Sequence, residues 1–130
     1  AAQALIDAPI GADPGDPLRR AVTSPGKAAR TRYEVLERFV EPDLAGLRCT
    51  LETGRTHQIR VHLAAVGHPL VGDQVYGAGR PLLGLTRPFL HAVELALRHP
   101  TTGERVTWTS ALAPDLVAFR EGLTPLDVIP

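Results

Sequence analysis

Apolar and polar positions divide the chain into stretches of different period. From Arg30 to Val40 the run Arg-Thr-Arg-Tyr-Glu-Val-Leu-Glu-Arg-Phe-Val carries Tyr33, Val35, Leu36, Phe39 and Val40 and is bounded by Pro42, which predicts a strand. Leu44 to Leu51 predicts a second, with Leu47, Cys49 and Leu51 on one face and Arg48 and Thr50 on the other. A short Pro-Asp turn joins the two, so a hairpin is expected. Further on, Phe89 to Leu97 alternates, with Phe89, His91, Val93, Leu95 and Leu97 on one side. His99 to Gly103 reads as a turn, and Glu104 to Leu112 returns with Val106, Trp108, Ser110 and Leu112 on one face, a second hairpin. Between the hairpins the period changes. Ile59, Leu63 and Val66 follow at helical spacing behind Thr56 as N-cap, and Gly67 with Pro69 supplies a stop, which predicts a helix over about 56–66 with those three residues facing a core. Pro114-Asp115 opens another short helix, with Leu116 and Phe119 on one face and Gly122 closing it.

The remaining segments carry no period. Residues 1–28 form a Pro- and Gly-rich lead-in in which Pro9, Pro14, Pro17 and Pro25 interrupt any pattern; Ala4 to Ile6 is a candidate edge strand and the rest is expected to be loop. A second Gly and Pro loop runs from Ala78 to Pro88. The expected architecture is a single α+β domain: a mixed, mostly antiparallel sheet with helices packed on it. At 130 residues and 44% hydrophobic content the chain can build one core. No apolar run approaches the ~18 residues of a membrane span and no secretory leader pattern is present, so the expectation is a cytoplasmic protein with no membrane contact. Cys49 is the single cysteine, which excludes an internal disulfide and a cysteine zinc cluster and leaves it as a small core residue. The chain opens at Ala1 and has no methionine, as expected of a portion of a longer protein.

Charge changes the picture only locally. The formal net charge is zero, but residues 19–60 hold nine basic side chains against five acids. Arg55 and Arg60 fall near the start of the predicted helix, where free amide groups and the helix dipole favour anions, so an RNA phosphate or a carboxylate is a candidate ligand there. Five histidines raise the question of a metal. His57 and His62, five apart, lie about 500° around a helix and diverge, and no His-Glu-x-x-His arrangement occurs, so no metal site is expected. Neither a Gly-x-Ser-x-Gly elbow nor a Gly-rich phosphate loop is present, which argues against a serine hydrolase and a nucleotide-binding enzyme.

Three segments carry a resemblance that spacing does not. Gly-Arg-Thr-His-Gln-Ile-Arg-Val-His-Leu (54–63), Gly-His-Pro-Leu-Val-Gly-Asp (67–73) and Tyr76-Gly77 resemble the signature block of the RluA-type RNA pseudouridine synthases. Asp-Ala-Pro-Ile (7–10), the segment 26–36, Phe-Leu-His-Ala (89–92) and His-Pro-Thr-Thr-Gly-Glu (99–104) agree in order. The resemblance implies the C-terminal portion of one pseudouridine synthase catalytic domain, isomerising uridines in structured ribosomal or transfer RNA without a cofactor. RNA is the implied partner, and the complete protein is expected to be a monomer. It implies that Arg60 pairs with a nucleophilic Asp, that Leu90 packs beside the flipped base, and that Arg55 and His57 contact RNA or brace a loop. The family's nucleophile lies in a His-Arg-Leu-Asp-x-x-Thr-Ser-Gly segment, and a base-stacking Tyr follows it. This sequence contains neither segment, and Tyr33 matches a different family position. The chain by itself is therefore expected to be inactive; the alternative reading is a non-catalytic RNA-binding or accessory module.

Overall fold

The computed structural model describes residues 3–92, 94–98 and 104–126. The expected α+β architecture is what it shows: three antiparallel sheets and two short helices. The largest sheet is built on β4 (Arg30–Val40), flanked by β1 (Gln3–Asp7) and β5 (Leu44–Leu51), with β8 (Thr124–Pro125) against the far end of β4. The β4–β5 hairpin pairs Tyr33 with Cys49 and Val35 with Leu47, then slips by a bulge before Glu37. Directly opposed residues share a face, so Ile6, Thr31 and Leu51 lie together, as do Ala4, Tyr33 and Cys49. The polar face carries the ion pairs: Arg30 reaches Asp7 at 3.2 Å, Arg32 reaches Glu52 at 2.6 Å, and Arg48 reaches Glu34 at 3.8 Å. Glu34 and Glu52 are among the five acids of residues 19–60, so of these pairs only Arg30 with Asp7 offsets part of the basic excess. Cys49 is half-buried, and burial pushes its thiol pKa up, the state of a packing residue.

Three local expectations are corrected. Much of the lead-in is not loop, because β2 (Ile10–Asp13) and β3 (Asp16–Val22) form a second antiparallel ribbon. Pro14 sits in its turn, where Asp13 Oδ1 accepts the Gly15 N–H at 2.8 Å, and Pro17 lies opposite a register shift where no ladder N–H is required. The prolines mark the turn and the irregularity; they do not prevent pairing. At Phe89 the expected strand has not begun: the Phe89 N–H donates to the Val71 carbonyl at 2.8 Å, and the second hairpin is confined to β6 (Glu94–Arg98) and β7 (Arg105–Thr109). The turn expected at His99 to Gly103 lies outside the described residues.

The third correction is to the central helix, α1 (Gln58–Ala65). Thr56 does not cap it; the N-cap is His57, with left-handed backbone (φ 55°, ψ 24°) and no side-chain cap. Nor do Ile59, Leu63 and Val66 together form the buried face. Val66 is exposed, and the buried residues are Gln58, Val61, His62 and Leu63. Two of these are polar because the helix is seated by hydrogen bonds. Gln58 Nε2 donates to the Arg30 carbonyl (2.8 Å) and to Thr31 Oγ1 (2.9 Å), while its Oε1 accepts from Thr53 Oγ1 (2.7 Å) and the Arg55 N–H (3.0 Å). With both amide hydrogens and both lone pairs engaged, burial leaves nothing unsatisfied. His62 continues the chain, with Nδ1 at 2.7 Å from Thr31 Oγ1 and Nε2 at 2.9 Å from the Ala8 carbonyl. A carbonyl can only accept, so Nε2 bears the proton and Nδ1 accepts from Thr31. The stop is as expected: Gly67 has φ 88°, His68 N–H reaches the Leu63 carbonyl (2.8 Å) and Gly67 N–H that of Ala64 (3.0 Å), a Schellman closure.

Beyond α1 a turn-rich segment leads to α2 (Pro114–Glu121), which opens at Pro114 and ends at Gly122 as the pattern predicts, with Leu116 fully buried. Phe119 meets Phe89 at 5.8 Å between ring centroids. Among the described residues no helix is long and apolar enough to cross a membrane.

Candidate functional site

The start of α1, the middle of β3 and the turn after α1 converge on Tyr76. The Tyr76 ring is buried among Ile10, Ala29 and Val61, which fixes its position from the core side. The ring also meets two cations: the guanidinium carbons of Arg19 and Arg60 each lie 5.0 Å from its centroid. Its hydroxyl accepts the Arg20 N–H at 3.0 Å and lies 2.8 Å from His57 Nδ1. The His57 ring stands nearly edge-on to it, 5.5 Å away at 75°.

Arg60 is held from a second direction by Asp73. The pair is bidentate, Nε to Oδ2 at 2.7 Å and Nη2 to Oδ1 at 3.0 Å. Asp73 Oδ1 also accepts the Val75 and Tyr76 N–H groups, each at 3.0 Å, so the carboxylate nucleates the turn that delivers Tyr76. The Asp73 side chain is fully buried, whereas that of Arg60 keeps 18% of its surface. Burial by itself would raise the Asp73 pKa; the hydrogen bonds from Arg60, Tyr76 and Val75 outweigh it and hold the carboxyl below the ordinary range. The same bond raises Arg60, which is charged at any physiological pH. Inaccessible and saturated with donors, Asp73 is a brace and not a nucleophile. Arg60 uses its Nε–Nη2 edge on that brace, and its Nη1 engages no protein group among the described residues.

The residues singled out in the sequence fall unevenly around this centre. Arg60 and His57 are both in it. Arg55 is adjacent, exposed, with Nε donating to the Ala28 carbonyl at 2.9 Å, so it braces the loop before α1. Leu90 shares no hydrogen bond with the group, but it is 37% exposed, and its neighbour Phe89 is tied to Val71 in the same turn region. Arg19, Arg20, Asp73 and Tyr76 carried no assigned role in the sequence reading. Asp73 followed two and three residues later by the amides it binds is an Asx-type turn pattern, a legible signal. The arginines of β3 had none, because the strand that presents them was hidden among prolines.

His57 has its pKa lowered by burial first, then by Arg60 and Arg20, against the opposing pull of Asp73. The shift favours the neutral imidazole.

Known RNA pseudouridine synthases are similar to this chain in sequence and in fold. The family model described as RNA pseudouridylate synthase matches residues 2–65. A ribosomal large subunit pseudouridine synthase D from Nitrosomonas europaea is 47% identical over 129 residues, covering 94% of this chain and 37% of the relative. An uncharacterized RNA pseudouridine synthase from Chloroflexus aurantiacus is 54% identical over 111 residues, 85% of this chain and 34% of its own length. Among solved structures, human RNA pseudouridylate synthase domain containing 1 superposes with a TM-score of 0.75 at 29% identity, covering all of this chain and 56% of that one. The chain thus spans little more than a third of the curated relatives it matches. The agreement of motif, fold and relatives establishes that the chain belongs to the RluA-type RNA pseudouridine synthase family.

Proposed function

We propose that the protein carrying this chain converts specific uridines of ribosomal RNA to pseudouridine in the cytoplasm, without a cofactor, and that Arg60 serves the reaction by holding the nucleophilic Asp of a segment outside these 130 residues. The observation that carries the reading is the orientation of Arg60. One edge of its guanidinium is clamped by buried Asp73 and one face lies on Tyr76, so the remaining edge is presented in a fixed direction. A planar fork held this way suits a second carboxylate and keeps it ionised. In the isomerisation the C1′–N1 bond of uridine breaks, the base turns, a C1′–C5 bond forms, and a proton moves from C5 to N1, so no redox partner or metal is required. Leu90, exposed and apolar, is suited to pack beside a flipped base. Ribosomal RNA is favoured as substrate by the names of the relatives from Nitrosomonas europaea and Pasteurella multocida.

The test is tritium release from C5-labelled uridine in large-subunit ribosomal RNA, using the full-length protein and this chain separately. The full-length protein should release label and the chain alone should not, while binding RNA weakly and with strong salt dependence. No release by the full-length protein on ribosomal RNA would overturn the substrate assignment; release by the chain alone would overturn the requirement for an outside Asp.

A further inference from the structure

We propose that the Tyr76 hydroxyl is a positioning group that locks His57 as its Nε2–H tautomer, so that His57 meets RNA as a neutral hydrogen-bond donor to an oxygen acceptor, not as a charge. The inference deepens the RNA reading of this surface and rests on it. A phenol has one hydrogen to give and lone pairs to receive. The Arg20 N–H takes one of those lone pairs at 3.0 Å, and among the described residues the acceptor within reach of the phenolic hydrogen is His57 Nδ1, at 2.8 Å. A neutral imidazole that accepts at Nδ1 carries its proton on Nε2. That nitrogen engages no protein group among the described residues, and His57 is solvent-exposed.

Two further observations point the same way. The charged groups around the ring are Arg60 from α1 and Arg20 from β3, opposed by Asp73 from the turn, and their balance disfavours a second proton. The backbone at His57 is left-handed, φ 55°, at an N-cap position where its side chain makes no capping bond. Folding alone would be served there by glycine, and strain of this kind persists where the surroundings over-determine it, commonly at ligand sites.

The experiment uses full-length protein labelled with 15N-histidine, with RNA affinity measured across a salt series at pH 7.5. In the unmodified protein the His57 nitrogens should report an unprotonated Nδ1 and a protonated Nε2, with titration below the ordinary histidine range. Tyr76→Phe keeps the ring beside Arg19 and Arg60 and removes the hydroxyl. It should mix the tautomers, raise the titration midpoint, and weaken RNA binding severalfold with the salt slope unchanged. His57→Gln, a neutral N–H donor, should bind RNA better than His57→Ala. Wild-type tautomer and titration in Tyr76→Phe would overturn the lock. A salt slope reduced by about one in His57→Ala would overturn the neutral role, since it marks a charged phosphate contact. A tautomer shift with unaltered RNA affinity would leave the lock standing and overturn the RNA role, which separates the two readings.

Discussion

His57 and Arg60 stand three residues apart, and each is constrained in a way that decides which substitution is informative. The left-handed backbone of His57 costs an ordinary side chain about 1–2 kcal/mol that glycine does not incur. His57→Ala and His57→Gly both lose the bond to Tyr76, so their difference isolates the strain. The glycine variant should be the more stable by about 1 kcal/mol in denaturant titration; equal stabilities would mean that the left-handed conformation is not held in solution. For Arg60 the buried partner complicates the obvious test. Arg60→Ala strands the Asp73 carboxylate, a loss of about 3–5 kcal/mol that confounds catalysis with folding. Arg60→Lys is cleaner, because it keeps the charge and loses the planar fork. Single-turnover pseudouridine formation at saturating RNA should fall on the order of tenfold or more while RNA affinity holds. Unchanged chemistry with weakened binding would make Arg60 a phosphate contact.

The turn after α1 shows how one element is specified by its smallest residue. Gly72 has φ 83°, and a Cβ there would collide with the Arg87 carbonyl oxygen. Gly72→Ala combines the conformational penalty with displacement of backbone, so a loss of at least about 2 kcal/mol is expected. Because the same turn delivers Asp73 and Tyr76, the variant's His57 should lose its depressed titration as well. Stability within 0.5 kcal/mol, roughly the scatter of surface substitutions, would refute that geometry. The elements themselves were unequally legible. β4, β5, α2 and the stop of α1 followed from alternation and from Pro and Gly punctuation, although β5 is at most half-buried and Leu51 at its end is exposed. The β2–β3 ribbon did not, because a proline at a turn and a proline in a loop look alike along the sequence. The seating face of α1 was missed for a different reason. A periodicity argument looks for apolar residues, whereas Gln58 and His62 are buried by finding every partner they need, and those partners lie up to 54 residues away. The site was half legible for the same cause: the motif marked Arg60 and His57, but Tyr76 becomes central only when β3 is folded beside it.

Across the whole molecule the ionised groups set a direction for acid stability. Asp73 titrates below its unfolded value, so its contribution is full above the ordinary carboxylate range and disappears as pH falls through its folded pKa. His57, depressed relative to its unfolded value, weakens the fold as pH drops from the ordinary histidine range toward its own. Both act in the same sense, His57 at milder acidity. Stability should therefore decline in two stages on acidification, and His57→Gln should abolish the first and leave the second. Loss of both stages, or of neither, would show that another group controls the fold.

The polar seat of α1 also bears on the order in which the chain folds. Eight residues without a side-chain cap make a helix that is marginal in isolation. Its buried contacts join Ala8, Thr31 and His62, three segments remote in sequence, through hydrogen bonds that are satisfied together or not at all. A partly assembled seat leaves buried polar atoms without partners, so intermediates carrying α1 on an unfinished sheet are disfavoured. The helix should behave as a latecomer that locks an existing sheet. Its amides should then exchange with solvent only through the same global opening that releases β4, and a pulse-labelling experiment should find them protected last.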